Sequence, residues 1–123
     1  MSKKILIVED TEDNRQILRD LLGMAGYTLF EARDGAEGVA RAAEHRPDLI
    51  LMDIQMPVMD GYEATRRIKA NPELKAIPIV AVTSYALSGD EQKTRDAGCD
   101  AYIAKPYSPR DLLGLIRKLL PEA

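Results

Sequence analysis

The sequence predicts an α/β fold in which a five-stranded parallel sheet is wound with helices on both faces. Three observations predict it. Short apolar runs alternate with stretches of helical spacing five times over, the pattern of repeated strand and helix units. Three of the runs are apolar at nearly every position, as strands covered on both faces are. Helix-start residues with an acid or amide three positions on recur in step with the runs.

The first strand is residues 5–8 (ILIV), closing on Glu9 and Asp10. Asp13 with Gln16 then opens a helix that Gly26 stops. Residues 28–32 form the second strand, and Asp34 with Glu37 opens the second helix, which Gly35 and Gly38 weaken. His45, before Arg46 and Pro47, marks its end in a capping or solvated role. The third strand, residues 49–52, runs into Asp53; Pro57 and Gly61 shape the following loop, and Asp60 with Glu63 starts the third helix. Residues 79–82 are the fourth strand, followed by Thr83 and Ser84, a helix opened by Ser88 with Glu91, and a stop at Gly98. The fifth strand, residues 102–104, leads to Lys105 and Pro106. The last helix opens at Ser108 with Pro109 in its first position, and Leu112, Leu113, Ile116, Leu119 and Leu120 make one apolar face.

At 123 residues, 46% hydrophobic and 30% charged, the chain suits one soluble domain with a core of its own. Its longest apolar runs fall far short of the roughly 20 residues of a membrane helix. The start MSKKILIVED lacks the apolar stretch of about 7 to 15 residues found in signal peptides, so a cytoplasmic protein is expected. The single cysteine, Cys99, excludes an internal disulfide and reads as a small packed side chain. A net charge of −3 without a basic patch excludes direct nucleic-acid binding.

In sheets of this kind ligands bind beyond the carboxyl ends of the strands. Glu9, Asp10, Asp53, Thr83, Ser84 and Lys105 all collect at that edge. If the first and third strands are neighbours, three carboxylates face one another and raise one another's pKa unless a cation intervenes. Oxygen ligands of this type suit Mg²⁺. Together with a hydroxyl and a lysine, they are the parts needed to accept a phosphoryl group on a carboxylate.

The blocks ILIVEDTEDNR, DLILMDIQMPVMDGYEA, IPIVAVTSYA and GCDAYIAKPYSP resemble the receiver domain of bacterial response regulators, over essentially the whole chain. The resemblance implies a CheY-like, flavodoxin-like (βα)5 three-layer sandwich with strand order 2-1-3-4-5. It implies that Asp53 is the phosphoacceptor and that Glu9 and Asp10, one of them through water, hold Mg²⁺ with Asp53 and the backbone carbonyl of Gln55. Thr83 corresponds to the hydroxyl that moves onto the phosphoryl group and Lys105 to its ion-pair partner, with a cis bond between Lys105 and Pro106. Tyr102 corresponds to the aromatic that follows Thr83. Tyr85 and Tyr107 flank the same face, whereas Met52, Met56 and Met59 read as packing.

A receiver accepts its phosphoryl group from a histidine of a sensor or hybrid kinase or of a phosphotransfer protein. The acyl phosphate then shifts a two-state equilibrium toward the face of the fourth helix, fifth strand and fifth helix. With Ala123 directly after the fifth helix, no output domain is expected and the output is protein binding. The chain is similar to single-domain regulators of the DivK type, which act on kinases controlling cell division and polarity; a receiver segment of a hybrid kinase is the alternative. Such a switch promotes its own phosphorylation and dephosphorylation without being an enzyme in the usual sense. Gln55, Ser84 and Tyr85 occupy positions that tune dephosphorylation.

Rival classes fit less well. A flavodoxin-like electron carrier needs a phosphate-cradling loop after the first strand, where EDTEDN offers negative charge. A hydrolase that forms an aspartyl phosphate needs an acid two positions after the nucleophile, where Gln55 stands. A receiver that binds partners without phosphorylation would lack a motif residue, and none is missing.

Overall fold

A computed structural model of the protein describes residues 3–54, 59–83, 90–105 and 107–120. Its elements are β1 (Lys4–Val8), α1 (Glu12–Met24), β2 (Thr28–Ala32), α2 (Gly35–His45), β3 (Leu49–Asp53), α3 (Gly61–Ala70), β4 (Ile79–Thr83), α4 (Asp90–Ala97), β5 (Ala101–Ala104) and α5 (Pro109–Leu119). The strands lie in the order β2-β1-β3-β4-β5, and every neighbouring pair is parallel. The central pair runs from Ile5 beside Leu49 to Val8 beside Met52. One residue further on, Glu9 and Asp53 come side by side.

Alternation along the central strands sorts the core into two layers. Leu6, Val8, Ile50, Met52, Ile79 and Ala81 pack on the side of α2 and α3, with Ala42, Ala64 and Ile68. Ile5, Ile7, Leu49, Leu51 and Val80 pack on the opposite side against Leu18 and Leu22 of α1 and Leu112, Ile116 and Leu120 near α5. All five residues of β3, Asp53 included, are buried. Each fully buried aliphatic side chain contributes about 1.5–3 kcal/mol relative to exposure, so the layers hold the strand ends in place with little play. No helix among the described residues is long and apolar enough to cross a membrane.

The helix starts follow the expected chemistry at α2, α3 and α5. The carboxylates of Asp34 and Asp60 accept the amides of Glu37 and Glu63 at 2.8 and 3.0 Å, and Ser108 Oγ accepts that of Asp111 at 3.1 Å. The first helix departs from expectation. It starts at Glu12 with Thr11 in the cap position and no side-chain cap, so Asp13 lies inside the first turn. Glu9 draws the chain into helix early: its carboxylate accepts from Thr11 N–H at 3.4 Å and from Asn14 Nδ2 at 3.1 Å. Ser88 lies outside the described residues, and α4 begins at Asp90.

Gly26 and Gly98 end their helices with φ of 95° and 106°, as stops in the left-handed region should. Gly35 and Gly38 do more than weaken α2. A Cβ on Gly35 would sit 2.5 Å from the Met59 carbonyl oxygen, and one on Gly38 would sit 3.0 Å from both Val8 methyls. Their absence of a side chain lets α2 close onto β1 and onto the chain returning to α3. His45 lies in the last turn of α2 but also stacks on Phe30, with centroids 3.9 Å apart. Cys99 is half-buried with its Sγ 3.7 Å from Thr65 Oγ1, and burial pushes its thiol pKa up, as suits a packing residue.

Two alanine substitutions should separate these glycine roles. Gly35→Ala meets backbone and should destabilise the fold by about 1–3 kcal/mol. Gly114→Ala, in the exposed middle of α5 with nothing within 4 Å of the new methyl, should stabilise it by about 0.5–1 kcal/mol. Urea unfolding midpoints should move in opposite directions.

Candidate functional site

Glu9 is 3% exposed and Asp53 4%, although each carries a carboxylate at the end of an apolar strand. Glu9 is tied by its backbone N–H to Ala32 O at 3.0 Å and by its carboxylate to Asn14 and Thr11. Asp10, the next residue, is exposed. One carboxylate oxygen from each of Glu9, Asp10 and Asp53 lies within 4.8 Å of the others. Lys105 reaches in from the end of β5: its Nζ is 3.7 Å from Glu9 Oε2 and 3.7 Å from Asp53 Oδ2. Its own backbone N–H donates to Thr83 O at 2.7 Å, so the lysine is positioned from the end of β4.

The strand alternation explains who meets whom. Glu9 continues the parity of Ile7, Asp53 that of Leu51 and Lys105 that of Ile103, all residues of the layer under α1 and α5. Thr83, fully buried, continues the parity of Ala81, whose neighbour in register is Tyr102. Thr83 and Tyr102 therefore belong to the opposite layer, and Tyr102 is half-buried there.

The clustered carboxylates were expected to raise one another's pKa unless a cation intervened, and Lys105 Nζ, 3.7 Å from Glu9, is such a cation. Burial pushes the Glu9 carboxyl up, but a hydrogen bond shared with Asp53, another from Asn14, the charge of Lys105 and the Thr11 N–H hold it below the ordinary carboxylate range. Donors and a cation outweigh desolvation. A donor set of oxygens alone, with three carboxylates within 4.8 Å of one another and one ammonium beside two of them, fits a hard divalent cation such as Mg²⁺. Gln55 and Pro106 lie outside the described residues, as do Met56, Ser84 and Tyr85.

Gly61 completes the surroundings of Asp53. Its N–H donates to Ile54 O at 3.1 Å, and a Cβ there would run into the Asp53 carbonyl oxygen. Only glycine lets α3 start directly against the end of β3. Beside the carboxylates, a cavity of about 570 Å³ opens between α1 and the start of α5. Ile17, Leu18, Leu21, Tyr107 and Pro109 line it together with Glu9, Asp53 and Lys105.

The response regulator receiver domain family matches residues 5–117 of the chain. The chain belongs to this family. The receiver is 46% identical over 123 residues to the polar-differentiation response regulators DivK of Brucella anthropi and Brucella abortus, covering the whole of each sequence. It superposes on the chemotaxis protein CheY4 of Vibrio cholerae with a TM-score of 0.92 at 31% identity, over 97% of this chain and 99% of that one. It also superposes, with a TM-score of 0.92 at 36% identity, on the receiver domain of the Pseudomonas aeruginosa sensor histidine kinase PA1611, over 99% and 100% of the two chains. That structure has a magnesium ion coordinated in its active-site cleft. This receiver is thus a signalling switch of the two-component type.

Glu9, Asp10, Asp53 and Lys105 are brought together as the sequence led us to expect, with Thr83 behind them. Sequence reasoning missed Asn14 and Arg15 as partners of Glu9, and the position of Tyr107 on the cavity. Asn14 was legible in principle, since an amide in the first turn of a helix that follows an acidic strand end can reach back to it. Burial raises the Tyr107 phenol above the ordinary tyrosine range, and the charges of Glu9 and Asp53 add to this.

The neutral Tyr107 phenol contributes stability below the unfolded-state tyrosine pKa, and that contribution is lost as pH rises through the higher folded value. A phenolate absorbance titration should therefore show a late-titrating tyrosine that Tyr107→Phe removes. An unchanged titration in that variant would assign the late group elsewhere.

Proposed function

We propose that Asp53 is the phosphoacceptor of this receiver. The observation that carries the reading is a buried carboxylate at the end of β3 with Lys105 Nζ 3.7 Å away and the carboxylates of Glu9 and Asp10 within 4.8 Å. An Asp53 oxygen attacks phosphorus as the bond to the donor histidine nitrogen breaks, and the electron pair of that bond leaves with the imidazole. Lys105 balances charge on the transferred group. Glu9, Asp10 and Asp53, with the backbone carbonyl of Gln55, would hold Mg²⁺, which supplies neutralisation of the phosphoryl oxygens.

Thr83 is the hydroxyl that responds to the phosphoryl group, and Tyr102 in the same layer carries the change outward. The responding surface is the α4, β5 and α5 face, which binds the downstream protein. The donor, a histidine kinase or a histidine phosphotransfer protein, docks beside Asp53 over the cavity. There Ile17 of α1 is 61% exposed, an apolar side chain suited to a partner helix. The likeness to DivK supports a place in the control of cell division or polarity, in the cytoplasm. A receiver segment of a hybrid kinase is the second reading, favoured by the likeness to the PA1611 receiver. The buried Glu9 counts against a flavin phosphate at the end of β1, since like charges would face each other there.

Incubation with a small phosphodonor and Mg²⁺ should add one base-labile phosphoryl group, read by intact mass. Chelation with EDTA or the substitution Asp53→Asn should abolish it; labelling that survives Asp53→Asn would move the nucleophile elsewhere. Thr83→Ala should accept the phosphoryl group yet lose most of the phosphorylation-dependent change in partner binding. A full response in that variant would rule out the Thr83 route.

A further inference from the structure

Arg15 is 6% exposed in the opening turns of α1, where the helix dipole disfavours a cation. Its guanidinium is held on three sides. Nη1 donates to the backbone carbonyl of Glu9 at 2.7 Å in a buried bond. Nη2 pairs with Glu12, and Nε lies 3.5 Å from Glu31 Oε1 on β2. Arg19, one turn on, pairs with the same two acids at 3.1 and 2.7 Å.

The carbonyl that Arg15 grips belongs to the peptide joining Glu9 to Asp10. Fixing its oxygen fixes the plane from which Asp10 departs. Asp10 is exposed, so side-chain burial does not hold its carboxylate; the peptide plane has to. We propose that Arg15 is a positioning residue that clamps the Glu9–Asp10 peptide, so that the Asp10 carboxylate faces those of Glu9 and Asp53. The inference rests on reading these three acids as the Mg²⁺ ligands. It requires the planar fork, because a lysine ammonium cannot hold the carbonyl and both flanking carboxylates in one geometry.

Isothermal titration of the full chain with Mg²⁺ alone tests it, comparing wild type with Arg15→Gln, Arg15→Lys and the network control Arg19→Gln. Arg15→Gln should weaken Mg²⁺ binding about tenfold, the scale on which partners behind metal ligands act. Arg15→Lys should fall between it and wild type, and Arg19→Gln should bind as wild type does. In phosphorylation by a small donor, Arg15→Gln should need about tenfold more Mg²⁺ for half the maximal rate, with the rate at saturating Mg²⁺ restored. Unchanged Mg²⁺ affinity in any folded Arg15 variant, or an equal loss in Arg19→Gln, would overturn the assignment. If Arg15→Gln does not fold, Arg15→Lys, which keeps the charge, decides on the same terms. Wild-type protein that binds no Mg²⁺ would overturn the ligand reading itself, and this inference with it.

Discussion

Two carboxylates almost sealed from water, Glu9 and Asp53, share one ammonium 3.7 Å from each, and the rest of the structure is arranged around that imbalance. Burying an ionised carboxylate costs several kcal/mol, while a unit pair at about 4 Å near a protein surface returns about 4 kcal/mol. Lys105 can offset one of the two. The other, with Asp10 beside it, is left as surplus negative charge, which the hydrogen bond between Glu9 and Asp53 relieves only by keeping a proton between them. A hard divalent cation would resolve the surplus, and in the proposed function the same ammonium would serve an incoming phosphoryl group.

Holding such a site requires rigid backbone on every side. Apolar layers on both faces of β1, β3 and β4 supply it, because a one-residue slip of any central strand would turn its buried side chains to the wrong face. Gly61 lets α3 begin against the end of β3. At the other end of the sheet Lys69 donates to Lys75 O, Ile77 O and Asp100 Oδ2, and that same carboxylate oxygen accepts Ile79 N–H. The start of β4 is thereby tied to the end of α3. Thr83 at the far end of β4 thus sits on a strand anchored where it begins.

Much of this was legible in the chain. The runs at 5–8, 49–52 and 79–82 announced strands buried on both faces, and Asp34 and Asp60 cap their helices with the amides their spacing pointed to. The strand order needed family resemblance, since local pattern says which segments are strands but not which are neighbours. The start of α1 was misread because Asp13 and Gln16 satisfy the capping pattern, while Glu9, two residues before the true cap, reaches Thr11 N–H and Asn14. Gly35 and Gly38 were read through intrinsic propensity; their packing against Met59 and Val8 depends on segments far away in sequence.

The sequence by itself determined the kinds of groups available at the strand ends, because residue type and the two periodicities are local properties. Only the tertiary structure decided how those groups share charge. Parallel pairing of β1 with β3 puts Glu9 beside Asp53, β5 delivers Lys105 from the far edge, and Arg15 turns inward to the Glu9 carbonyl. Hydrogen bonds and a neighbouring cation then hold the Glu9 carboxyl below its ordinary pKa despite burial. No linear pattern encodes that result, since it depends on distances between residues that only the closed sheet brings together.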